Sequence, residues 1–163
     1  SARLKSCDSW LRFDAIRYDE RHISTQELAR DLRELPESEA SRIRRERLDQ
    51  WLDAGHGCWA LAHPAVAAMM QATLEVGEDN GRYVLHAWCV MPNHVHVLIE
   101  PRIPLRSIVQ AWKAYSGRWA LANNGRLALG IAGEAFWMRD YWDRFIRSDA
   151  HLRAVVAHIG NTL

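Results

Sequence analysis

The chain has 163 residues, of which 48% are hydrophobic and 25% charged, the composition of a single globular domain with one core. No run reaches the roughly 18 apolar residues of a membrane span, and Ser1–Ala2–Arg3–Leu4–Lys5 leads into no secretory apolar segment, so a cytoplasmic protein without membrane attachment is expected. The net charge of +1 hides an asymmetry: residues 1–80 carry 11 Lys/Arg against 15 Asp/Glu, residues 81–163 carry 10 against 5, and the second half would attract an anionic ligand. Cys7, Cys58 and Cys89 are odd in number and widely spaced, which argues against a disulfide framework or zinc knuckle and leaves small buried hydrophobes.

In chain order, residues 9–18 alternate loosely between apolar and polar and read as a first strand. Ser24–Thr25–Gln26–Glu27 resembles a capping box opening a helix to about Leu35, and Pro36 ends it. From Ser38 to Asp53, Ile43, Leu48, Trp51 and Leu52 form an apolar stripe, with Arg42, Arg44, Arg45 and Arg47 on solvated faces. Pro64 to Leu74 reads as a short core helix, and Asp79–Asn80–Gly81 as a turn. Tyr83 to Val90 is apolar on both faces except at His86, which suggests a central strand. Met91–Pro92–Asn93 then turns the chain into a hairpin partner beginning at His94.

Leu105, Ile108, Trp112, Tyr115 and Trp119 recur at helical spacing after Pro104, and Asn123–Asn124–Gly125 should close that helix. This places Tyr115 in an apolar stripe. A loop from Gly125 to Gly133 leads to Phe136–Trp137, and Ser148 caps a last helix with Leu152, Val155 and Ile159 facing the core.

The segment His94–Val95–His96–Val97–Leu98–Ile99–Glu100 carries the chemistry, because side chains on a strand alternate. His94 and His96 converge on one side while Val95, Val97 and Ile99 can be buried on the other. Such a pair is a candidate metal site. A histidine-triad hydrolase would need a third histidine where Leu98 stands, and a metallo-β-lactamase-like site needs an aspartate that Val97–Leu98–Ile99 does not supply. Three-histidine zinc would require His86 from the neighbouring strand, which leaves a small-molecule zinc hydrolase as a minor reading. A fourth class uses the pair to hold Mg²⁺ or Mn²⁺ with open positions for a scissile phosphate, while a nearby tyrosine attacks phosphorus.

The wider string Leu85–His86–Ala87–Trp88–Cys89–Val90–Met91–Pro92–Asn93–His94–Val95–His96–Val97–Leu98–Ile99 resembles the HUH single-tyrosine transposases, and among them the REP-associated tyrosine transposases. The resemblance continues through Ile108 to Lys113, Phe136–Trp137, Asp140 to Arg147 and His151, and upstream through Leu48 to Gly57. It implies an α+β, ferredoxin-like antiparallel sheet of the HUH endonuclease type with helices packed on one face. The whole of 1–163 would be one such domain with a helical insertion at about 24–76. It further implies Mg²⁺ or Mn²⁺ as cofactor, His94 and His96 as ligands, and hairpin and single-stranded DNA of REP-like elements as partner, acted on by a monomer or homodimer at the nucleoid.

The resemblance also exposes a departure. The family's nucleophilic tyrosine falls on His158, and the asparagine that completes the metal site falls on Thr162, beside Asn161. Tyr115 is a possible substitute nucleophile. Arg106, Lys113, Arg139, Arg144 and Arg147 are candidate DNA contacts, and arginine's planar fork suits phosphate. Some of the eight tryptophans could stack on unpaired bases, with Trp51, Trp112 and Trp119 reserved for the core. Two functions therefore remain: a metal-dependent DNA strand transferase, or a domesticated hairpin-binding protein that has lost cleavage.

Overall fold

The computed structural model describes residues 9–14, 35–53, 58–139 and 141–160. Its elements run β1 (Ser9–Asp14), α1 (Glu37–Asp53), a short 3₁₀ turn (Trp59–Ala62), α2 (Pro64–Asp79), β2 (Tyr83–Val90), β3 (His94–Pro101), α3 (Leu105–Leu127), β4 (Trp142–Phe145) and α4 (Asp149–Gly160). The capping-box helix expected before Pro36 lies outside the described residues, as do residues 15–18 of the expected first strand.

The four strands form one antiparallel sheet in the order β2-β3-β1-β4. This βαββαβ succession, with β1 and β3 in the middle, is the ferredoxin-like arrangement. It gives the α+β class that the resemblance implied.

Alternation along β3 divides the molecule into two layers. Val95, Val97 and Ile99 are fully buried against Val66, Met70 and Leu74 of α2 and Ile108, Val109 and Trp112 of α3. Leu98, on the opposite face, packs with Cys89, Ile146, Val155 and Ile159. α4 thus covers the face from which the histidines project, so the sheet has helices on both sides. The expected placement of all helices on one face is extended by this last one.

Several expectations are corrected. β2 is an edge strand, because its two apolar faces answer to helices above and below rather than to two neighbouring strands. Glu78 covers part of that edge, its Oε1 accepting from Leu85 N at 2.8 Å. The helix from Pro64 runs past Leu74 to Asp79, between β1 and β2 in chain order, with Val66, Met70 and Leu74 at 0% exposure. α3 continues through Asn123–Asn124–Gly125 to Leu127 and ends at Ala128 with φ 51°. Asn123 returns its amide to Trp119 O, and Asn124 brackets Ile131 through both N and O, so neither asparagine breaks the helix.

The rest follows the sequence closely. Pro92 and Asn93 form a two-residue hairpin loop closed by Met91 N donating to His94 O at 2.8 Å. Ser148 caps α4 by accepting from His151 N at 3.1 Å. Cys58 and Cys89 are buried cysteines outside any disulfide. Arg42 pairs with Glu46 on an exposed face of α1. No described helix is long and apolar enough to cross a membrane.

Candidate metal and DNA-strand site

Because β3 is internal, both of its edges are tied and its side chains are held on a stiff platform. His94 and His96 are two residues apart on it and are almost fully buried, at 0% and 3% exposure. Their rings meet edge to face, with centroids 4.7 Å apart, and the two Nε2 atoms lie 3.0 Å from each other. The two ring nitrogens therefore face each other at hydrogen-bonding distance, close enough together to share one ligand between them.

The preceding residue sets the proton on one ring. Asn93, itself buried, places Oδ1 2.7 Å from His94 Nδ1. A carbonyl oxygen only accepts, so Nδ1 carries the hydrogen, and Nε2, left with its lone pair, accepts from His96 Nε2. In metal sites generally, a hydrogen bond of this kind orients the ligating imidazole. The sequence reading took Asn93 for a turn residue and missed this role; an amide directly before the pair was the available signal.

The donor set fits an ion that retains open positions. Among the described residues no three His, Cys, Asp or Glu side chains gather, which does not suit a closed structural zinc site with four protein ligands. His86 is exposed at a bulge in the β2–β3 pairing between Leu85 and Ala87, and does not join the pair. Cys89 pairs with His96 across the strands, and burial pushes its thiol pKa up, which favours an inert thiol. The register also sets Asp14 opposite His94 and Arg12 opposite His96.

Position 158 lies on α4, the helix packed over this same face through Val155 and Ile159. Thr162 lies outside the described residues. Tyr115 stands elsewhere: α3 packs on the Val95–Ile99 side, and the sheet separates Tyr115 from the histidines. It is also 53% exposed rather than part of the buried stripe, because Trp112 and Ser116 on either side of it take the inward positions. It lines a cleft with Val76, Arg82 and Tyr83.

Arg106, Arg139, Arg144 and Arg147 are all exposed. Trp10 pairs with both Leu98 and Arg144, so Arg144 shares the histidine face of the sheet. Arg144 and Arg147 also neighbour His151 on α4: partial burial, then the two guanidinium charges, hold its pKa below the usual histidine range. Phe145, between them, is 55% exposed. Lys113 is used differently from expectation, since its Nζ donates to Met138 O at 2.8 Å and Arg139 O at 3.4 Å. Tyr141, beneath that ammonium at 5.6 Å, has its pKa raised chiefly by burial and then by Asp143. Trp59 is exposed, whereas Trp112 is core as expected.

A βαββαβ sheet with a paired-histidine strand, and the last described helix across it, make an α+β domain with its polar site on one face of the sheet. Comparison assigns it: the family model for IS200-like transposases matches residues 61–162, and the chain belongs to that family. Among solved structures, a REP-associated tyrosine transposase bound to a REP hairpin aligns over 98% of this chain and 67% of its own, at 16% identity and a TM-score of 0.47. A transposase of unproven activity from Deinococcus radiodurans R1 aligns over 99% and 95%, at 15% identity and a TM-score of 0.49. No curated protein matches the chain.

Proposed function

We propose that this protein binds hairpin-forming DNA of the REP type and cleaves and rejoins its single-stranded flank. The observation that carries the reading is the 3.0 Å convergence of His94 Nε2 and His96 Nε2 beneath the helix that bears position 158. His94 and His96 would hold Mg²⁺ or Mn²⁺, which supplies Lewis-acid polarisation of a phosphate oxygen when bound. Asn93 keeps the His94 lone pair directed inward. Position 158 furnishes the nucleophile: its attack forms a bond to phosphorus, the sugar oxygen departs with the electron pair and takes up a proton, and the freed hydroxyl later reverses the step. Arg144 and Arg147, exposed beside α4, bind backbone phosphates, with Arg106 and Arg139 as further contacts.

One observation favours a second reading. The residue at the nucleophile position is His158 where the related transposases carry tyrosine. A chain that keeps the fold and the DNA surface but has lost cleavage would retain hairpin binding alone.

Incubation with Mn²⁺ and a hairpin oligonucleotide carrying a single-stranded flank separates the two. The strand-transfer reading expects cleavage and a DNA adduct that survives denaturation. Binding without cleavage, with cleavage gained in His158→Tyr, supports the second reading. Absence of hairpin binding contradicts both.

A further inference from the structure

We infer that Lys113 is a positioning residue: it grips the crossing from α3 to β4 and thereby sets α4 over the histidine pair. The reading of the sequence made it a phosphate contact, but its ammonium is directed inward to main-chain oxygens. Nζ donates to Met138 O at 2.8 Å and to Arg139 O at 3.4 Å, and stands 5.6 Å from the centre of the Tyr141 ring.

The next turn of α3 holds the same crossing. Ser116 Oγ accepts from Trp137 Nε1 at 2.7 Å while donating to Trp112 O at 2.6 Å. The Trp137 ring lies against Gly117, where even an added Cβ would meet Trp137 Cδ1 at an ordinary contact distance of 3.4 Å. Positions 113, 116 and 117 are one helical turn apart and form one face. That face holds Trp137, Met138, Arg139 and Tyr141, directly before β4 begins.

The placement has a consequence for the site. α3 lies on the aliphatic side of the sheet and α4 on the histidine side, so the chain must cross between layers in residues 128–148. Backbone carbonyls of such a crossing, outside any strand, need donors. Lys113 supplies two from a side chain anchored on a 23-residue helix. Loosening it releases the start of β4 and with it the helix carrying position 158, while the β2–β3 hairpin and its histidines stay in place. The effect on the strand-transfer reaction rests on the reading above; the grip itself does not.

Amide hydrogen exchange on the full chain tests the grip, with Lys113→Met removing the donors and Lys113→Arg keeping donors and charge. Lys113→Met should speed exchange at least tenfold in 138–160 and leave β2, β3 and α2 unchanged, and Lys113→Arg should restore most of the protection. With a hairpin substrate, Lys113→Met should lower kcat and leave KM unchanged, and the slope of log affinity against log salt should not move. Unchanged exchange, or equally fast exchange in Lys113→Arg, overturns the proposal. A slope smaller by about 0.7, the loss of one single-strand phosphate contact, would return Lys113 to DNA binding. Should the wild-type chain show no DNA activity at all, the proposed function fails while the exchange result still decides the grip.

Discussion

At the scale of single residues, three side chains make claims that can be measured. Asn93 acts only through His94, so Asn93→Ala should weaken Mn²⁺ binding by about 10- to 100-fold, as removal of an orienting partner does. The folding midpoint, read by thermal melting, should move far less than the metal affinity. Tyr83 is the second case. Its hydroxyl, 1% exposed as part of the residue, accepts from Trp112 Nε1 at 2.9 Å and donates to Leu74 O. Tyr83→Phe removes both bonds of a buried hydroxyl and should cost about 1–3 kcal/mol in denaturant unfolding. Burial pushes the Tyr83 pKa up to about 12, above its ordinary value near 10. The fold therefore favours the protonated phenol, and the stability this contributes, complete below pH 10, should drain away as pH rises toward 12. The histidine pair was legible from its spacing alone. Asn93 was not, because a turn residue and an imidazole-orienting residue look the same in one sequence. The bonds of Lys113 were not legible because its partners are carbonyls 25 and 26 residues away, and nothing in a sequence marks a carbonyl.

At the scale of elements, the contact between α2 and β2 is the most demanding. A Cβ on Gly77 would stand 2.2 Å from the Tyr83 hydroxyl, and that hydroxyl is held by two hydrogen bonds that a shift of the ring would break. Gly77→Ala should accordingly destabilise the fold by about 1–3 kcal/mol, overpacking outweighing the gain in helix propensity. An unchanged or higher melting temperature would show that the helix can shift. Ser148→Ala, losing the cap of α4, should cost about 1 kcal/mol. The elements legible in the sequence were those with a long period to read: β2, β3, α2, α3 and α4 all begin within a residue of where periodicity and caps put them. β4 escaped because four residues carry too little alternation, and its pairing partner β1 is 130 residues away. The edge position of β2 escaped for another reason. A strand covered by helices on both faces has the same composition as a strand with neighbours on both sides, and only the chain order of the sheet separates them.

At the scale of the whole molecule, the sheet works as a partition. One face carries the aliphatic core under α2 and α3; the other carries the histidines, Arg144 and the helix with position 158. The positive second half of the chain supplies most of this second face, so charge and ligand site coincide. DNA affinity should fall with salt, with a slope of about −0.7 for each single-strand phosphate neutralised, and Arg144→Ala should reduce the slope by about that increment. The fold class followed from the resemblance of the histidine-strand region, while the direction of the site depended on knowing that α4, not α3, crosses the histidine face.

Everything proposed about DNA chemistry depends on the histidine pair holding an ion. Titration of Mn²⁺ into the full chain, followed by electron paramagnetic resonance, tests this directly with His94→Ala and His96→Ala beside the wild type. The structure predicts one bound Mn²⁺ per wild-type chain and an affinity lower by more than about 100-fold in either variant, beyond the effect of an orienting partner, with folding retained. No Mn²⁺ bound to the wild type, or equal binding to the three proteins, would contradict it.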